Sequence, residues 1–430
     1  MKFLSIVAMM FVTFFFAGCS DDLNSTALEN LPIIESPNQN RDEKIPVDVL
    51  WDATISMQGF TTIAPMNVYR TLPDEIENIC ASIGDVNFYR FGSDAMKIDR
   101  AGYRKFTEPE TYTELVTSMA NAVEISNPEH LSIVVTDLFE SESDWSLVTQ
   151  RLKDKFFTKH LSTAIIGIRN PFDGKIFDVG LKAQSFSYAT GGDQNRFRPF
   201  YLFVLGREDV VKDFVNRFEK FRRQQVIQNE IEYVIFTEHL TDRAETFATL
   251  PIIDSQNLFE SVELEDNRVR EFGIDSPTDP ASVTFNFKYK PTLGACSIDR
   301  NSLQTQIDFF TLDSESDSWI ETRNARADGK FSLERDEESE SYLLKFEFTP
   351  ERNLQIDRWN FLHASLKPPA SSFELPEWIS QWNMGNIDVN PAAFDGTKTT
   401  NLLHIAQSLL DAQFESSQPS LVDLYFLIEN

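Results

Sequence analysis

Five short and nearly continuous apolar runs, separated by amphipathic stretches, constrain the fold of this chain more than any other feature. The runs are VDVLWD (47–52), VNFYRF (86–91), SIVVTD (132–137), TAIIGI (163–168) and YLFVLG (201–206). Between them, residues 207–223 place valines and phenylalanines at helical spacing, and turn signals within 171–199 indicate an inserted hairpin. Apolar strands that alternate with helices are typical of a parallel sheet covered on both faces. We therefore predict a doubly wound α/β domain with a mostly parallel, Rossmann-like sheet over residues 46–225.

The period of the apolar residues changes beyond residue 226. ASVTFNFKYK (281–290) and SYLLKFEFT (341–349) alternate apolar and polar side chains, as half-exposed antiparallel strands do. These stretches predict an antiparallel, β-sandwich-like domain over 226–370. A helical stretch and a final apolar run, LVDLYFLIEN, then predict a small α/β C-terminal segment over 371–430.

The N-terminal sequence MKFLSIVAMMFVTFFFAGC has one lysine and then an apolar run that ends in small residues and a cysteine. It predicts a signal peptide over residues 1–18. It resembles the signal of bacterial lipoproteins, which implies a lipid anchor on Cys19 that binds the membrane; an ordinary signal that contains a cysteine is the alternative. Ser20 favours the outer membrane of a Gram-negative bacterium, and the acidic pair behind it resembles a tag for export to the cell surface. The polar residues 19–45 indicate a flexible tether.

The charge of the chain excludes one class of partner. The sequence has 39 basic and 67 acidic residues, which gives a formal net charge of -28. A surface of this sign repels nucleic acid and favours cations and basic partners. A solvated acidic coat that keeps a secreted protein in solution is the ordinary explanation for most of this charge. We therefore expect no nucleic-acid partner.

Polar side chains follow the first apolar run, where apolar side chains would pack better. Asp52 ends this run, and Thr54 and Ser56 follow it at alternate positions, while Asp137 ends a later run. The carboxyl ends of parallel strands meet at one edge of a sheet, so these side chains are expected to lie together. Carboxylate and hydroxyl oxygens are ligands that Mg²⁺, Mn²⁺ or Ca²⁺ prefers. The pattern predicts a divalent-cation site at this edge.

Three stretches resemble the von Willebrand factor A (vWA) domain. LWDATISMQGF (50–60) is similar to the first motif of its metal-ion-dependent adhesion site (MIDAS), Asp-x-Ser-x-Ser, and FYRFGSD and SIVVTDLFES are similar to two of its later strands. The resemblance implies that the cation ligands are Asp52, Thr54, Ser56, Asp137 and a threonine ahead of a helix, for which Thr111 is preferred and Thr113 also fits. The chain departs from the family pattern at one of these positions and at the residue after Asp137. Thr54 replaces a serine, and Leu138 replaces the usual glycine, a change that is expected to alter how closely a partner approaches.

The vWA resemblance implies a function in protein binding. A carboxylate of another protein would complete the shell of a bound cation, most simply Mg²⁺, in adhesion or in assembly of an envelope complex. One alternative is a metal-dependent hydrolase that uses Asp52 and Asp137, although no nucleophile or general base accompanies them and Thr54 stands where a phosphatase of the haloacid dehalogenase type needs a second carboxylate. Another is a structural envelope subunit with a degenerate site, whose polar residues only cap loops.

Two further patterns are interpreted as structural. LDSESDSW (312–319) has carboxylates at calcium-loop spacing but lacks the required glycine, so an exposed acidic turn is the simpler explanation. Trp378 and Trp382 are four residues apart, and the sequence favours packing against the β-sandwich for them.

Overall fold

The structure is a computed structural model. It describes residues 25–32, 44–138, 145–179, 184–224, 230–238, 240, 250–260, 269–287, 294, 296–299, 302–313, 315–322, 329–336, 341–355, 358–385, 394–417 and 420–429. The predicted signal peptide over 1–18, the lipid-anchor residue Cys19 and the sorting residue Ser20 lie outside these residues. No helix of the described part is long and apolar enough to cross a membrane.

The first half of the chain forms a mixed seven-stranded sheet. β6 and β7 form a hairpin outside this sheet, and the other seven strands form the sheet. The strands are β1 (Val47–Asp52), β2 (Val86–Phe91), β3 (Ala95–Ile98), β4 (Leu131–Thr136), β5 (Ser162–Asn170), β6 (Asp173–Val179), β7 (Gln184–Ala189), β8 (Arg198–Gly206) and β9 (Ile231–Phe236). The strand order is β3-β2-β1-β4-β8-β5-β9. All five apolar runs are strands, and the hairpin predicted within 171–199 is confirmed by the pairing of β6 with β7.

The direction of the strands differs from the prediction beyond β4. β1 pairs in parallel with β2 and β4, whereas β4 with β8, β8 with β5 and β5 with β9 are antiparallel. A parallel pair needs a long crossover connection, but only the hairpin and a short turn lie between β5 and β8. The expected mostly parallel sheet is therefore wrong for this half. Since β9 belongs to the sheet, the sheet also extends past residue 225.

Helices cover both faces of this sheet. The helices of the chain up to this point are α1 (Ser25–Glu29), α2 (Leu72–Ala81), α3 (Arg100–Arg104), α4 (Met119–Ile125), α5 (Trp145–Lys155) and α6 (Glu208–Gln224). Apolar residues of α2 and α6, such as Ile76 and Phe214, share one core with Val49 of β1. Residues of α4 and α5, such as Val123 and Leu152, share another with Leu50. The polar end of β1 is thereby fixed at the rim of a rigid three-layer unit.

Two further sheets share one core. The remaining strands are β10 (Ile252–Gln256), β11 (Leu258–Glu260), β12 (Arg270–Ile274), β13 (Ala281–Phe287), β14 (Ser297–Ile298), β15 (Gln304–Asp313), β16 (Ser318–Glu321), β17 (Gly329–Asp336), β18 (Ser341–Phe348), β19 (Trp359–Lys367), β20 (Phe373–Glu374), β21 (Asn383–Met384), β22 (Thr399–Thr400) and β23 (Val422–Glu429). The order is β10-β13-β18-β17 in one sheet and β11-β12-β23-β19-β15-β16 in the other. Phe285 and Phe346 of the first pack with Leu362 and Phe426 of the second, as in a β-sandwich.

The C-terminal segment is divided between the two parts of the molecule. Its helices are α8 (Glu377–Gln381) and α9 (Leu402–Ser417), and α7 (Pro350–Asn353) lies before the segment, between β18 and β19. β23 lies between β12 and β19, inside the six-stranded sheet. The buried face of α9 instead joins the core of α4 and α5. The last strand and the helix before it therefore connect the α/β unit to the sandwich.

Trp378 and Trp382 pack against the seven-stranded sheet, so the expectation that they pack against the sandwich is wrong. Both indoles share a core with residues of β1, β4, β5 and β8. The Arg169 guanidinium lies 4.7 Å from the centroid of the Trp382 ring. Gly167 makes room for this ring, because a Cβ there would lie 2.6 Å from it. A glycine within a buried strand permits such a close approach.

Part of the expected tether is packed. Ala27 and Leu31, in and just after α1, are buried, and Leu31 belongs to a cluster with Phe361 and Leu427 on the six-stranded sheet. The indole N–H of Trp319 donates a 3.0 Å hydrogen bond to the carbonyl of Ala27. The sequence 19–45 is polar overall, and these isolated small and apolar residues gave no periodic signal. Residues 25–32 are thus attached to the sandwich.

Candidate functional site

The two aspartates singled out by the sequence lie at the same edge of the seven-stranded sheet. Asp52 is the last residue of β1 and Asp137 directly follows β4, its parallel neighbour. Both side chains are buried. The parallel centre of the sheet, where the prediction holds, is what brings the two carboxylates to one edge.

A continuous chain of close oxygen–oxygen contacts joins the two carboxylates. One oxygen of Asp52, Oδ1, accepts from the backbone N–H of Thr54 at 3.0 Å and from its hydroxyl at 2.7 Å. The Thr54 and Ser56 hydroxyls are 3.0 Å apart, and Ser56 Oγ donates to Asp137 Oδ1 at 3.4 Å. The other oxygen of Asp52 accepts from Thr136 Oγ1 at 3.0 Å. Asp52, Thr54, Ser56 and Asp137 are therefore brought together as predicted.

The threonine that joins this chain is Thr117, and neither candidate named from the sequence does so. Thr117 is buried and its hydroxyl donates to Thr54 Oγ1 at 3.1 Å. The Thr111 hydroxyl donates to the Lys105 carbonyl at 2.7 Å, and Thr113 is exposed. Thr111 ends a 3-10 turn seven residues before the N-cap of α4, Ser118, whereas Thr117 directly precedes that cap. Closeness to the N-cap of α4 is the sequence signal that could have indicated Thr117.

Backbone pairing holds the Thr117 loop against the end of β1. Thr54 forms a parallel bridge with Glu114. The N–H groups of Thr113 and Glu114 donate to the Ala53 carbonyl at 3.1 and 3.2 Å, and Ile55 N–H donates to the Glu114 carbonyl at 3.0 Å. Spacing along the chain does not reveal such a contact between two loops, which explains why the sequence left this position open.

Leu138 occupies a backbone conformation that favours glycine. Its φ is 58°, in the left-handed region, where a non-glycine residue costs about 1 kcal/mol or more. Its N–H donates to Thr136 Oγ1 at 3.1 Å, and its side chain is buried with α5 in the core. Burial of the leucine side chain in this core offsets the strain.

Arg198 is a site residue that the sequence did not reveal. Its guanidinium Nη2 lies 3.8 Å from Asp137 Oδ2, and both side chains are buried. Arg198 begins β8, which runs antiparallel to β4, so this strand starts at the edge where β4 ends. In the parallel sheet predicted from the sequence, the start of this strand would lie at the opposite edge.

Burial sets the electrostatics of the site. Desolvation, and then the charge of Asp137, raise the pKa of Asp52 from 3.8 to about 7, against the hydrogen bonds from Thr54 and Thr136, which lower it. Loss of solvent disfavours the charged carboxylate, and a second carboxylate nearby adds repulsion. Asp52 therefore gains a proton as the pH falls through neutrality, and any cation that binds there displaces this proton.

Within the described part of the chain, the cluster offers hard oxygen donors and no nitrogen or sulfur donor. Two carboxylates and the hydroxyls of Thr54, Ser56 and Thr117 are of the kind that Mg²⁺ and Ca²⁺ bind. The described residues contain no group of three or more His, Cys, Asp or Glu that could hold a metal ion. The hydroxyls would therefore have to supply part of the shell of a cation here, as the vWA resemblance implies.

The most deeply buried described histidine, His363, lies on the six-stranded sheet, away from this cluster. Its Nε2 is 3.0 Å from Asp423 Oδ1 and its Nδ1 is 3.4 Å from Asp308 Oδ2. Burial lowers the pKa of His363, but the hydrogen bonds and charges of the two aspartates raise it by more. Because a carboxylate lies against each nitrogen, protonated His363 forms ion pairs with Asp308 and Asp423. These pairs join β15, β19 and β23.

Comparisons of the chain with protein-family models, with curated proteins and with solved structures give no match. The resemblance to the vWA domain therefore stays a prediction from the sequence motifs.

Proposed function

We propose that Asp52, Thr54, Ser56, Thr117 and Asp137 bind a divalent cation, Mg²⁺ most simply, and that the bound cation serves binding to another protein. The observation that carries the proposal is the unbroken chain of oxygen donors from Asp52 to Asp137 at the carboxyl edge of β1 and β4. Mn²⁺ or Ca²⁺ would use the same donors. When bound, the cation supplies a position that a partner's carboxylate can fill.

The vWA-like fold is part of this proposal. The parallel strands β2, β1 and β4, with the antiparallel β3 at the edge, support it. The antiparallel strands β8, β5 and β9 depart from a doubly wound sheet. The proposed likeness to the vWA fold is therefore limited to the half of the sheet that carries the site. The proposed function is based on the residues of the site and not on the fold.

The surface beside the site suits a protein partner. Leu115 is 75% exposed and Val116 is 42% exposed, and both directly precede Thr117 on its loop. Two adjacent exposed apolar side chains offer surface that a protein partner would bury. We further propose that lipid-anchored Cys19 holds the protein at the outer membrane of a Gram-negative bacterium, facing the cell surface, where the interaction serves adhesion or envelope assembly.

The two alternative functions are a metal-dependent hydrolase and a structural subunit with a degenerate site. A hydrolase would need a general base, and none of the described histidines hydrogen bonds to the cluster; His130 Nδ1, for example, lies 2.7 Å from Asp48 Oδ2 at the start of β1. The structural alternative is favoured by one observation, the Arg198 guanidinium near Asp137. It predicts that no divalent cation binds in any variant.

The proposal is tested by calorimetric titration of Mg²⁺ into the chain from Ser20 to Asn430, which keeps every described element. We expect saturable binding to one site in the wild type and at least a hundredfold weaker binding in Asp137→Asn, because a carboxylate is lost. Asp94→Asn is the matched control, since Asp94 is exposed beyond the neighbouring strand β2. Absence of saturable binding in the wild type, or equal binding in Asp137→Asn, would contradict the proposal.

A second prediction separates Thr117 from Thr111. We expect Thr117→Val to weaken Mg²⁺ binding by about tenfold or more, the loss typical when a metal site loses a supporting group. Thr111→Val removes the same hydroxyl from a residue bonded to Lys105, so its Kd should equal that of the wild type. Equal losses in the two variants would show that Thr117 is not part of the site.

A further inference from the structure

Arg198 is a buried cation whose hydrogen-bond donors are poorly satisfied. Nη1 lies 3.4 Å from the carbonyls of both Gly396 and Lys398, and Nη2 lies 3.8 Å from Asp137 Oδ2. The buried Nε atom has no hydrogen-bond partner among the described residues. A guanidinium has five N–H donors in a fixed plane, and a buried charge with long contacts is costly to keep. Its burial next to Asp137 therefore calls for an explanation.

We propose that Arg198 is the resident counter-ion of Asp137 in the metal-free protein, that a divalent cation displaces it, and that this displacement couples the site to residues 394–400. The inference rests on the proposed metal binding at Asp52 and Asp137.

The geometry allows Arg198 to be replaced. Ser56 approaches Asp137 through Oδ1, and Arg198 approaches through Oδ2. A cation bound to Asp137 would place two positive charges beside the single charge of Arg198, within a buried region where charges are weakly screened. The guanidinium therefore competes with the cation for one carboxylate, and its departure accompanies binding.

Residues 394–400 are fixed at several points, and their middle carbonyls hold Arg198. Phe394 stacks on Phe186 of the β6–β7 hairpin at 4.3 Å between ring centroids. The Thr399 N–H donates to the Trp382 carbonyl at 2.8 Å, and its hydroxyl accepts from Tyr201 at 2.8 Å.

Movement of the Arg198 guanidinium removes the partner of the Gly396 and Lys398 carbonyls. This segment leads directly into α9 and then into β23 of the sandwich, so a change at the site has a short path to the second half of the molecule.

The first test is the Kd for Mg²⁺, measured by calorimetry on the chain from Ser20 to Asn430. Arg198→Met removes the competing charge and keeps most of the volume, so we expect at least tenfold tighter binding. Arg196→Met is the control, since Arg196 is exposed and lies two residues earlier. Equal Kd values in wild type and Arg198→Met would overturn the counter-ion proposal while leaving the proposed function intact. No binding in either would overturn both.

The second test needs no substitution at Arg198 and therefore does not depend on that variant folding. Hydrogen exchange is measured on peptides that cover 394–400, with and without saturating Mg²⁺. We expect several-fold faster exchange in the presence of Mg²⁺, and unchanged exchange in the C-terminal half of α9. Binding of Mg²⁺ by calorimetry without any change in 394–400 would overturn the coupling.

Discussion

Without divalent cations at pH 8, the Asp52→Asn variant is expected to be more stable than the wild type. Asn resembles the protonated, uncharged form of Asp52 and can still accept from Thr54. Each pKa unit is about 1.4 kcal/mol, so the pKa of about 7 in place of 3.8 corresponds to a gain of up to about 4 kcal/mol. Between these two pH values the folded chain holds a proton that the unfolded chain has lost, so wild-type stability falls as the pH rises. The advantage of the variant should shrink as the pH falls toward 4.

Urea unfolding at pH 5, 7 and 8 measures this difference, with Asp94→Asn as the control for loss of an exposed aspartate. Saturating Mg²⁺ should stabilise the wild type by mass action and leave Asp52→Asn unchanged. If Asp52→Asn is less stable than the wild type at all three pH values, Asp52 is a structural cap for its loop. An Asp52 carboxylate that destabilises the folded protein without the cation is a property of a functional site, whereas a cap stabilises its loop.

Replacement of Leu409 by alanine should destabilise the protein by about 2 to 5 kcal/mol, the range for a leucine removed from a packed core. Leu409 is fully buried on α9, in the core that this helix shares with α4 and α5. Leu403 lies on the same helix and is 40% exposed, so Leu403→Ala should cost less than about 1 kcal/mol. Urea unfolding of both variants gives the comparison. Similar small losses in the two would contradict the packing of α9 on the seven-stranded sheet.

The sequence predicts the strands of the seven-stranded sheet better than their directions. A strand buried on both faces is a continuous apolar run whether its neighbours are parallel or antiparallel, so β5 and β8 look alike in either case. The connection between strands decides the direction, and here a hairpin replaces the crossover helix. The position of β23 within the six-stranded sheet depends on pairing with β12 and β19, which lie far from it in the sequence.

The same distinction separates the site residues that the sequence predicts from those that it misses. Asp52 ends β1 and Asp137 directly follows β4, its parallel neighbour, and the local sequence pattern suffices to place them. Thr117 reaches the site because its loop pairs with residues 53–55, a contact that no local period records. Arg198 reaches it because β8 is antiparallel. The error in strand direction and the omission of Arg198 therefore have one cause.

Anomalous scattering from crystals grown with Mn²⁺ would locate the cation directly. A peak within about 2.5 Å of oxygens from the proposed ligands, Asp52, Thr54, Ser56, Thr117 and Asp137, is the expected result, since cations of this class bind oxygen at such distances. Arg198 Nη2 should then lie farther from Asp137 Oδ2 than the 3.8 Å of the present structure. Peaks confined to exposed acidic residues, with Arg198 still against Asp137, would contradict the assignment of this edge as a cation site.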